Sequence, residues 1–407
     1  MSTQPQSKKI LVVTPRFPYP EAGACQQDRA EGIRQLKRLG FDVRVLTKIF
    51  DWQDPEIIKN VWKNEGVVVE TVPYKYQRLS KKEKIKMALK FALRPWLLDP
   101  STFEYRDSEF QGLLTEELEN VTPDYVWFDY TYTWPLFSLV QQKGIPVIFR
   151  SITYEVDNFL EEDGKSIINY LKVLPKMYSE RKATREASVA FAITPREQKK
   201  YQKFRKQGVF VLPLRSLHNK LGTHTPRVTD ILHIVYSGST FSVEHNYRAL
   251  KFILTELAPR VLKDFGKKFT FHITGAKFPE EFQSYLNECV LYHGFVDNLE
   301  SFLKDMDIAL APSFFGAGMQ QKIFEPLSRG FPTVTHERGL AEYPFNPGED
   351  VLTGFDADSF CKELEKLQSY ESRVSLSQHA KEKSKTLFSR EMLDSVVQDA
   401  MDSLKKI

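Results

Sequence analysis

Short β-branched runs alternate along the chain with longer stretches whose apolar residues recur three and four positions apart. That alternation predicts strands joined by helices, as in a parallel sheet covered on both faces. Residues 9–14, KILVVT, open the series as a buried strand. The loop PRFPYPEAGACQQDR follows, and Ile33, Leu36 and Leu39 mark a helix over 29–39 that stops at Gly40. Further strands are predicted at 41–47, 124–128, 146–150, 188–193 and 209–213, with helices at 110–118, 134–143 and 178–187. Thr194, Pro195 and Glu197 have the form of a capped helix start. Residues 214–230 lose all periodicity and carry Gly222 and Pro226, which predicts a linker.

The pattern then restarts. A strand at 231–236, a small-residue loop at 237–240 and a helix at 246–257 are followed by strands at 269–274, ending at Gly275, and 290–292. The most organised stretch is 307–335, DIALAPSFFGAGMQQKIFEPLSRGFPTVT. It reads as a strand at 307–312, a glycine turn at 315–318, a helix at 319–329 ended by Gly330, and a strand at 331–335. Asp358 is the expected cap of the next helix, and 389–406 forms a last amphipathic one. At 407 residues the chain suits two cores. The expected fold is α/β: two Rossmann-like doubly wound domains facing across a cleft. They span 1–213 and 231–385, separated by the linker 214–230, with a C-terminal helix at 386–407 packing back on the first.

Composition alters this little. Hydrophobic residues at 42% and charged residues at 27% are ordinary for a globular protein, and a net charge of +4 gives no nucleic-acid signal. Cys25, Cys289 and Cys361 form no metal spacing or disulfide framework, which fits a reducing cytoplasm. No stretch approaches a membrane-spanning run of apolar residues. One segment does change the picture. Residues 79–98, LSKKEKIKMALKFALRPWLL, interleave Lys81, Lys82, Lys84, Lys86, Lys90 and Arg94 with apolar residues and Trp96. A basic helix of this kind can lie on an anionic membrane surface; otherwise its lysines are a solvated face.

The candidate chemistry lies in the 307–335 stretch. A helix that begins after a glycine turn aims N–H groups and a positive dipole end at the loop, where an anion can sit. Lys322 and Glu325, three apart, share a helix face. A cation for a phosphate and a carboxylate for sugar hydroxyls suit a nucleotide; a plain α/β crossover with a surface ion pair is the alternative. In the first half Asp129, Tyr130 and Tyr132 follow one strand, and Arg150, Ser151, Tyr154 and Glu155 follow the next. Ligands of open α/β sheets bind beyond such strand ends, so these residues outline an acceptor region. The first loop lacks G-x-G-x-x-G, which argues against a nicotinamide site.

The segments YSGSTFSVEHN, HITG, LYHGFVDNLESFL, APSFFGAGMQQKIFEPLSRGFPTVT and NPGEDVLTGFDADSF together resemble the glycogen-synthase-like, family-four group of GT-B glycosyltransferases. PRFPYPEAGACQQDR and FRSITYE resemble two N-domain segments of that group more loosely. The resemblance implies an enzyme, cytoplasmic or at the inner membrane face, that moves a sugar from a UDP- or GDP-linked donor to a glycan or lipid-linked acceptor. Retention of configuration and no required metal or cofactor are implied as well. Glu325 matches the ribose-binding glutamate and Lys322 a lysine near the diphosphate. Gly316, Ala317, Gly318, Met319 and Gln320 match the loop facing the donor. Phe295 and Val296 match the edge of the base site. Gly238 and Ser239 match the loop at the phosphates and Gly23 the facing N-domain loop; with Gly275 they complete the donor-binding candidates. Asp129, Arg150 and Glu155 are the acceptor-side catalytic candidates beside Lys322. Ala317 stands where many members carry a second glutamate, as in an exopolysaccharide-type branch. The usual Arg/Lys pair is absent between Ser237 and Asn246, and Ile152 replaces a histidine. A non-catalytic GT-B partner protein or a nucleotide-sugar epimerase of GT-B shape are the alternatives.

Overall fold

A computed structural model describes residues 7–15, 18–21, 23–89 and 93–405. Residues 16, 17 and 22 of the first loop, 90–92 of the basic segment and 406 of the last helix lie outside them. The chain divides into two compact units. One holds the residues up to Arg215 together with those from Asp394 onward, the other Ser216–Leu393.

Unit 1 is built on a parallel sheet of β1 (Lys9–Thr14), β2 (Asp42–Ile49), β3 (Val68–Pro73), β4 (Tyr125–Asp129), β5 (Val147–Arg150), β6 (Val189–Ala192) and β7 (Val209–Val211). Its order is β3-β2-β1-β4-β5-β6-β7, so the winding reverses between β1 and β4. Leu11, Val13, Val126, Phe128, Val147 and Phe149 are buried in one core with Phe110, Leu114 and Phe137 from the helices above them. Parallel strands covered on both faces need such unbroken apolar runs.

Unit 2 holds β8 (Leu232–Thr240), β9 (Phe269–Ala276), β10 (Val290–Tyr292), β11 (Ile308–Ala311), β12 (Thr333–Thr335) and β13 (Leu352–Thr353), in the order β10-β9-β8-β11-β12-β13. Both sheets are thus doubly wound, and here the reversal falls between β8 and β11. The segment after Arg215 is fastened to this unit. The Gly222 and His224 amides donate to the carbonyls of Ser328 and Arg329 at 2.8 and 2.9 Å. Arg227 pairs with Asp307 at 3.0 Å.

Several expectations are corrected. The first helix begins at Ala24, not at 29. The helix Pro55–Asn64 and the strand β3 were not expected at all. The basic helix spans only Lys81–Leu89 of the described residues, followed by a short turn at Pro95–Leu97. The helix expected at 178–187 starts at Ile167, capped by Ser166. Asp356, rather than Asp358, caps the Ala357–Lys366 helix. The last helix, expected at 389–406, is present as Arg390–Leu404, but the Tyr370–Phe388 helix before it was not expected.

Candidate functional site

In unit 2 the carboxyl ends of β8 and β11 meet at the winding reversal, where open α/β sheets bind ligands. Residues 237–240, expected as a loop, instead continue β8 as strand, with a register shift against β9 between Ser237 and Thr240. Gly275 makes that approach possible. Its φ is +143°, and a Cβ there would stand 2.7 Å from the Gly238 carbonyl oxygen. Asn246, buried in the next helix, holds the end of this strand: its amide donates to Ser239 Oγ at 3.2 Å and to the Thr240 carbonyl at 3.1 Å. Lys322 Nζ donates to Asn246 Oδ1 at 3.0 Å. Asn246 therefore ties the only lysine of the Gln321–Arg329 helix to the end of β8.

The loop between β11 and that helix is braced from within. Gln320 Nε2 donates to the Phe315 carbonyl at 3.0 Å, and Ser313 Oγ to Gln320 Oε1 at 2.6 Å. Arg338 donates to the carbonyls of Phe314 and Gly316 at 3.3 and 3.1 Å. Gly316 has φ +102°, which a Cβ would strain. The helix itself begins at Gln321, with Gln320 as its N-cap, two residues later than the apolar spacing implied. Met319 is buried at the loop end, and Ala317 and Gly318 are half-buried.

Glu325 is buried one turn into the helix. It accepts from Gln321 Nε2 at 2.6 Å and from Arg329 Nε and Nη2 at 3.0 and 2.6 Å. Arg329 also donates to both carboxylate oxygens of Glu300, at 2.7 and 2.6 Å. These hydrogen bonds hold the Glu300 carboxyl down to about 2. Glu325 is thus oriented by a buried guanidinium, which the i,i+4 spacing could have signalled. Phe295 is exposed and Val296 half-buried in the loop after β10.

Unit 1 gathers a second group at the carboxyl ends of β4 and β5. Asp129 closes β4 and is buried, accepting from Trp127 Nε1 at 3.1 Å. Tyr130, next to it, sits at φ +67°, an unusual conformation for a residue with a side chain. Its ring stacks on Tyr132 at 4.9 Å, and Arg29 lies 5.7 Å from it. Burial, then Cys25, pushes the Tyr130 hydroxyl up. Gly23 is the N-cap of the helix that carries Cys25 and Arg29. Glu155 opens the next helix, its amide donating to Glu180 Oε1 at 2.8 Å.

Arg150 is elsewhere in role. It is fully buried and pairs through both Nη atoms with Asp28, with further bonds from Nη2 to the carbonyls of Leu212 and Pro213 at 3.2 and 3.0 Å. Asp28 also accepts from the Arg215 amide at 2.8 Å and from Arg215 Nη2 at 3.1 Å. Burial works to raise the Asp28 carboxyl, but the two guanidiniums outweigh it and hold it low. The guanidinium of Arg150 therefore ties β5 to the first helix and the end of the unit, facing inward.

Residues 232–369 match the family model of the glycosyl transferases of group 1. The matched segment contains the unit 2 residues of this candidate site, from Ser237 to Arg338; residues 1–231 and 370–407 stand outside it. No curated protein matches the chain in sequence. Solved structures share its fold, GT-B. Sucrose-phosphate synthase from Thermosynechococcus elongatus superposes with a TM-score of 0.70 at 13% identity, covering 98% of this chain and 99% of its own. Anabaena HepE in complex with UDP gives 0.65 at 13%, covering 97% and 100%. A variant of S. aureus TarM in complex with fondaparinux, α-GlcNAc-glycerol and UDP gives 0.65 at 10%, covering 98% and 99%. Among the described residues, no helix is long and apolar enough to cross a membrane.

Proposed function

We propose that the protein transfers a sugar from a nucleotide diphosphate sugar, UDP- or GDP-linked, to a glycan or lipid-linked acceptor with retention of configuration. The observation that carries this reading is Lys322, tied by Asn246 to the end of β8 and set at the start of a helix behind a braced glycine loop. The group 1 match and the UDP held by the similar HepE and TarM structures support it. Glu325 takes the ribose hydroxyls. The 316–320 backbone, Gly238, Ser239 and Gly275 line the phosphates, and Phe295 with Val296 edges the base.

As the bond between the anomeric carbon and the phosphate oxygen breaks, negative charge grows on the leaving diphosphate. A fixed cation and a helix N-terminus stabilise that charge more than they stabilise the intact donor, so they lower the barrier. The diphosphate oxygen, once released, takes the acceptor hydroxyl's proton, and no metal or cofactor is needed. Glu155, Asp129 and Tyr130 belong to the acceptor side, Arg150 shapes it from within, and Gly23 is the loop residue that faces the donor. Ala317 removes a carboxylate from the donor-sugar side, as in an exopolysaccharide-type branch. A panel of UDP- and GDP-sugars with oligosaccharide and lipid-linked acceptors, read by release of nucleoside diphosphate, tests the proposal. Acceptor-dependent release from at least one donor is expected; a panel left intact, with no nucleotide bound, contradicts it.

A further inference from the structure

The Ile167–Glu186 helix changes character along its length. Its second half buries Ser179, Glu180, Ala183 and Thr184. Its first half leaves Ile167, Ile168, Tyr170, Leu171, Leu174 and Met177 exposed, Ile167 at 83%. Ile167, Leu171 and Leu174 follow i, i+4, i+7 and so form one stripe. The Pro95–Leu97 turn packs against this helix, and Trp96 and Leu93 are exposed there, Leu93 at 95%. Soluble surfaces seldom carry so many large apolar side chains together unless something covers them.

The segments that carry these side chains are rich in lysine, with the carboxylates of Glu161, Glu162 and Asp163 lying just ahead of the helix. Residues 165–177 contain three lysines and no carboxylate, and 79–98 contain a single one, Glu83. Glu83 is turned to its own helix start, accepting from Ser80. Lys165 pairs with Glu161 at 3.3 Å and Lys176 with Asp99 at 3.6 Å, which leaves Lys172 and the 81–86 lysines as the excess. No residue of the Lys81–Leu89 helix is buried. Ile85 and Leu89 share one stripe of it, between Lys81 on one side and Lys82 with Lys86 on the other.

We propose that unit 1 docks on an anionic lipid surface through the apolar stripe of residues 167–174 together with Leu93 and Trp96, drawn there by the 81–86 lysines. Exposed apolar side chains in the same unit as a lysine-rich exposed helix match a bilayer of anionic headgroups over acyl chains. A protein partner would have to be both acidic and apolar over the same patch. The stripe on the 167–186 helix supplies the insertion that the lysines alone do not. The proposal is independent of glycosyl transfer, and its failure leaves that reading standing.

Co-sedimentation with phosphatidylcholine vesicles, with and without phosphatidylglycerol, tests it on the full chain. The wild type should bind only the anionic vesicles, and less as salt rises. Lys81→Gln with Lys82→Gln and Lys86→Gln should weaken binding about fivefold per lysine. Leu171→Ser with Leu174→Ser should weaken it about tenfold per leucine at an unchanged melting temperature, since both side chains are exposed. Indifference of the wild type to phosphatidylglycerol, or full binding by the double serine variant, would overturn the proposal. So would a dimer in light scattering that the serine variant dissolves, because a second copy of the chain would then cover the face.

Discussion

Replacing Asp28 with Ala should be among the most damaging single changes in unit 1. The carboxylate is fully buried between Arg150, fully buried too, and Arg215, 2% exposed. It accepts four hydrogen bonds, three from guanidinium nitrogens and one from the Arg215 amide. Its loss takes from two buried guanidiniums the carboxylate that both of them bind. Breaking a buried pair from one side costs about 3–5 kcal/mol. Arg150 keeps the Leu212 and Pro213 carbonyls, which sets the expectation at the lower end, about 3 kcal/mol. A domain this size loses about 2–4 °C per kcal/mol, so its melting temperature should fall by roughly 6–12 °C. Urea unfolding followed by circular dichroism measures the loss as a lower midpoint at an unchanged slope. A double-mutant cycle with Arg150→Met isolates the pair. The double variant should cost less than the sum of the singles by more than about 1 kcal/mol, because the contacting groups share one interaction. Additive losses, or an Asp28→Ala loss below about 1 kcal/mol, would refute the reasoning. The pH dependence has a definite sign as well. The folded carboxyl is held below its unfolded value of 3.8, so its stabilisation is full above that pH and is lost as pH falls through the folded value.

Other expected outcomes follow from the same geometry. Gly32→Ala would place a Cβ 2.0 Å from the Arg215 guanidinium carbon; the displaced ion pair should outweigh the helix gain and lower stability by about 1–3 kcal/mol in the same urea assay. His224 is buried and stacked on Phe331 at 3.7 Å, and burial first, then Lys381, pushes it down to about 4 from 6.5. Between those values the unfolded chain takes a proton that the folded one refuses, so stability falls as pH drops through this window. His224→Phe should flatten that part of a melting-temperature profile, and an unchanged profile would contradict it. Glu325→Ala should mainly raise KM, because ribose contacts do not change during the reaction, whereas Lys322→Gln should lower kcat about 10²–10³-fold. Steady-state kinetics on the two variants would show whether the effects divide in this way.

The doubly wound architecture was legible because buried parallel strands must be continuous apolar runs, and β1 lies where KILVVT placed it. β3 was missed at the sheet edge, where Val68 is exposed and Glu70 interrupts the run. The start of the Ile167–Glu186 helix was missed although Ser166 offered a cap; its apolar stripe faces outward and has no buried counterpart to give it meaning. The placement of Lys322 and Glu325 on one helix after a glycine turn was readable from spacing. Their supports were not, because Asn246 lies 76 residues from Lys322. Arg150 shows the limit most plainly. Its place at the end of β5 suggested a ligand group, but a long side chain can turn either way, and Asp28, 122 residues distant, turns it inward.

The central claim is that Lys322, at the start of the Gln321–Arg329 helix, binds the diphosphate of a nucleotide donor. Calorimetric titration of UDP, GDP and the matching monophosphates into wild type and Lys322→Gln tests it most directly. One nucleoside diphosphate should bind the wild type at least tenfold more tightly than its monophosphate, equivalent to about 1.4 kcal/mol, and Lys322→Gln should erase most of that difference. Equal affinity of the wild type for mono- and diphosphate, or a preference that survives in the variant, would contradict the account.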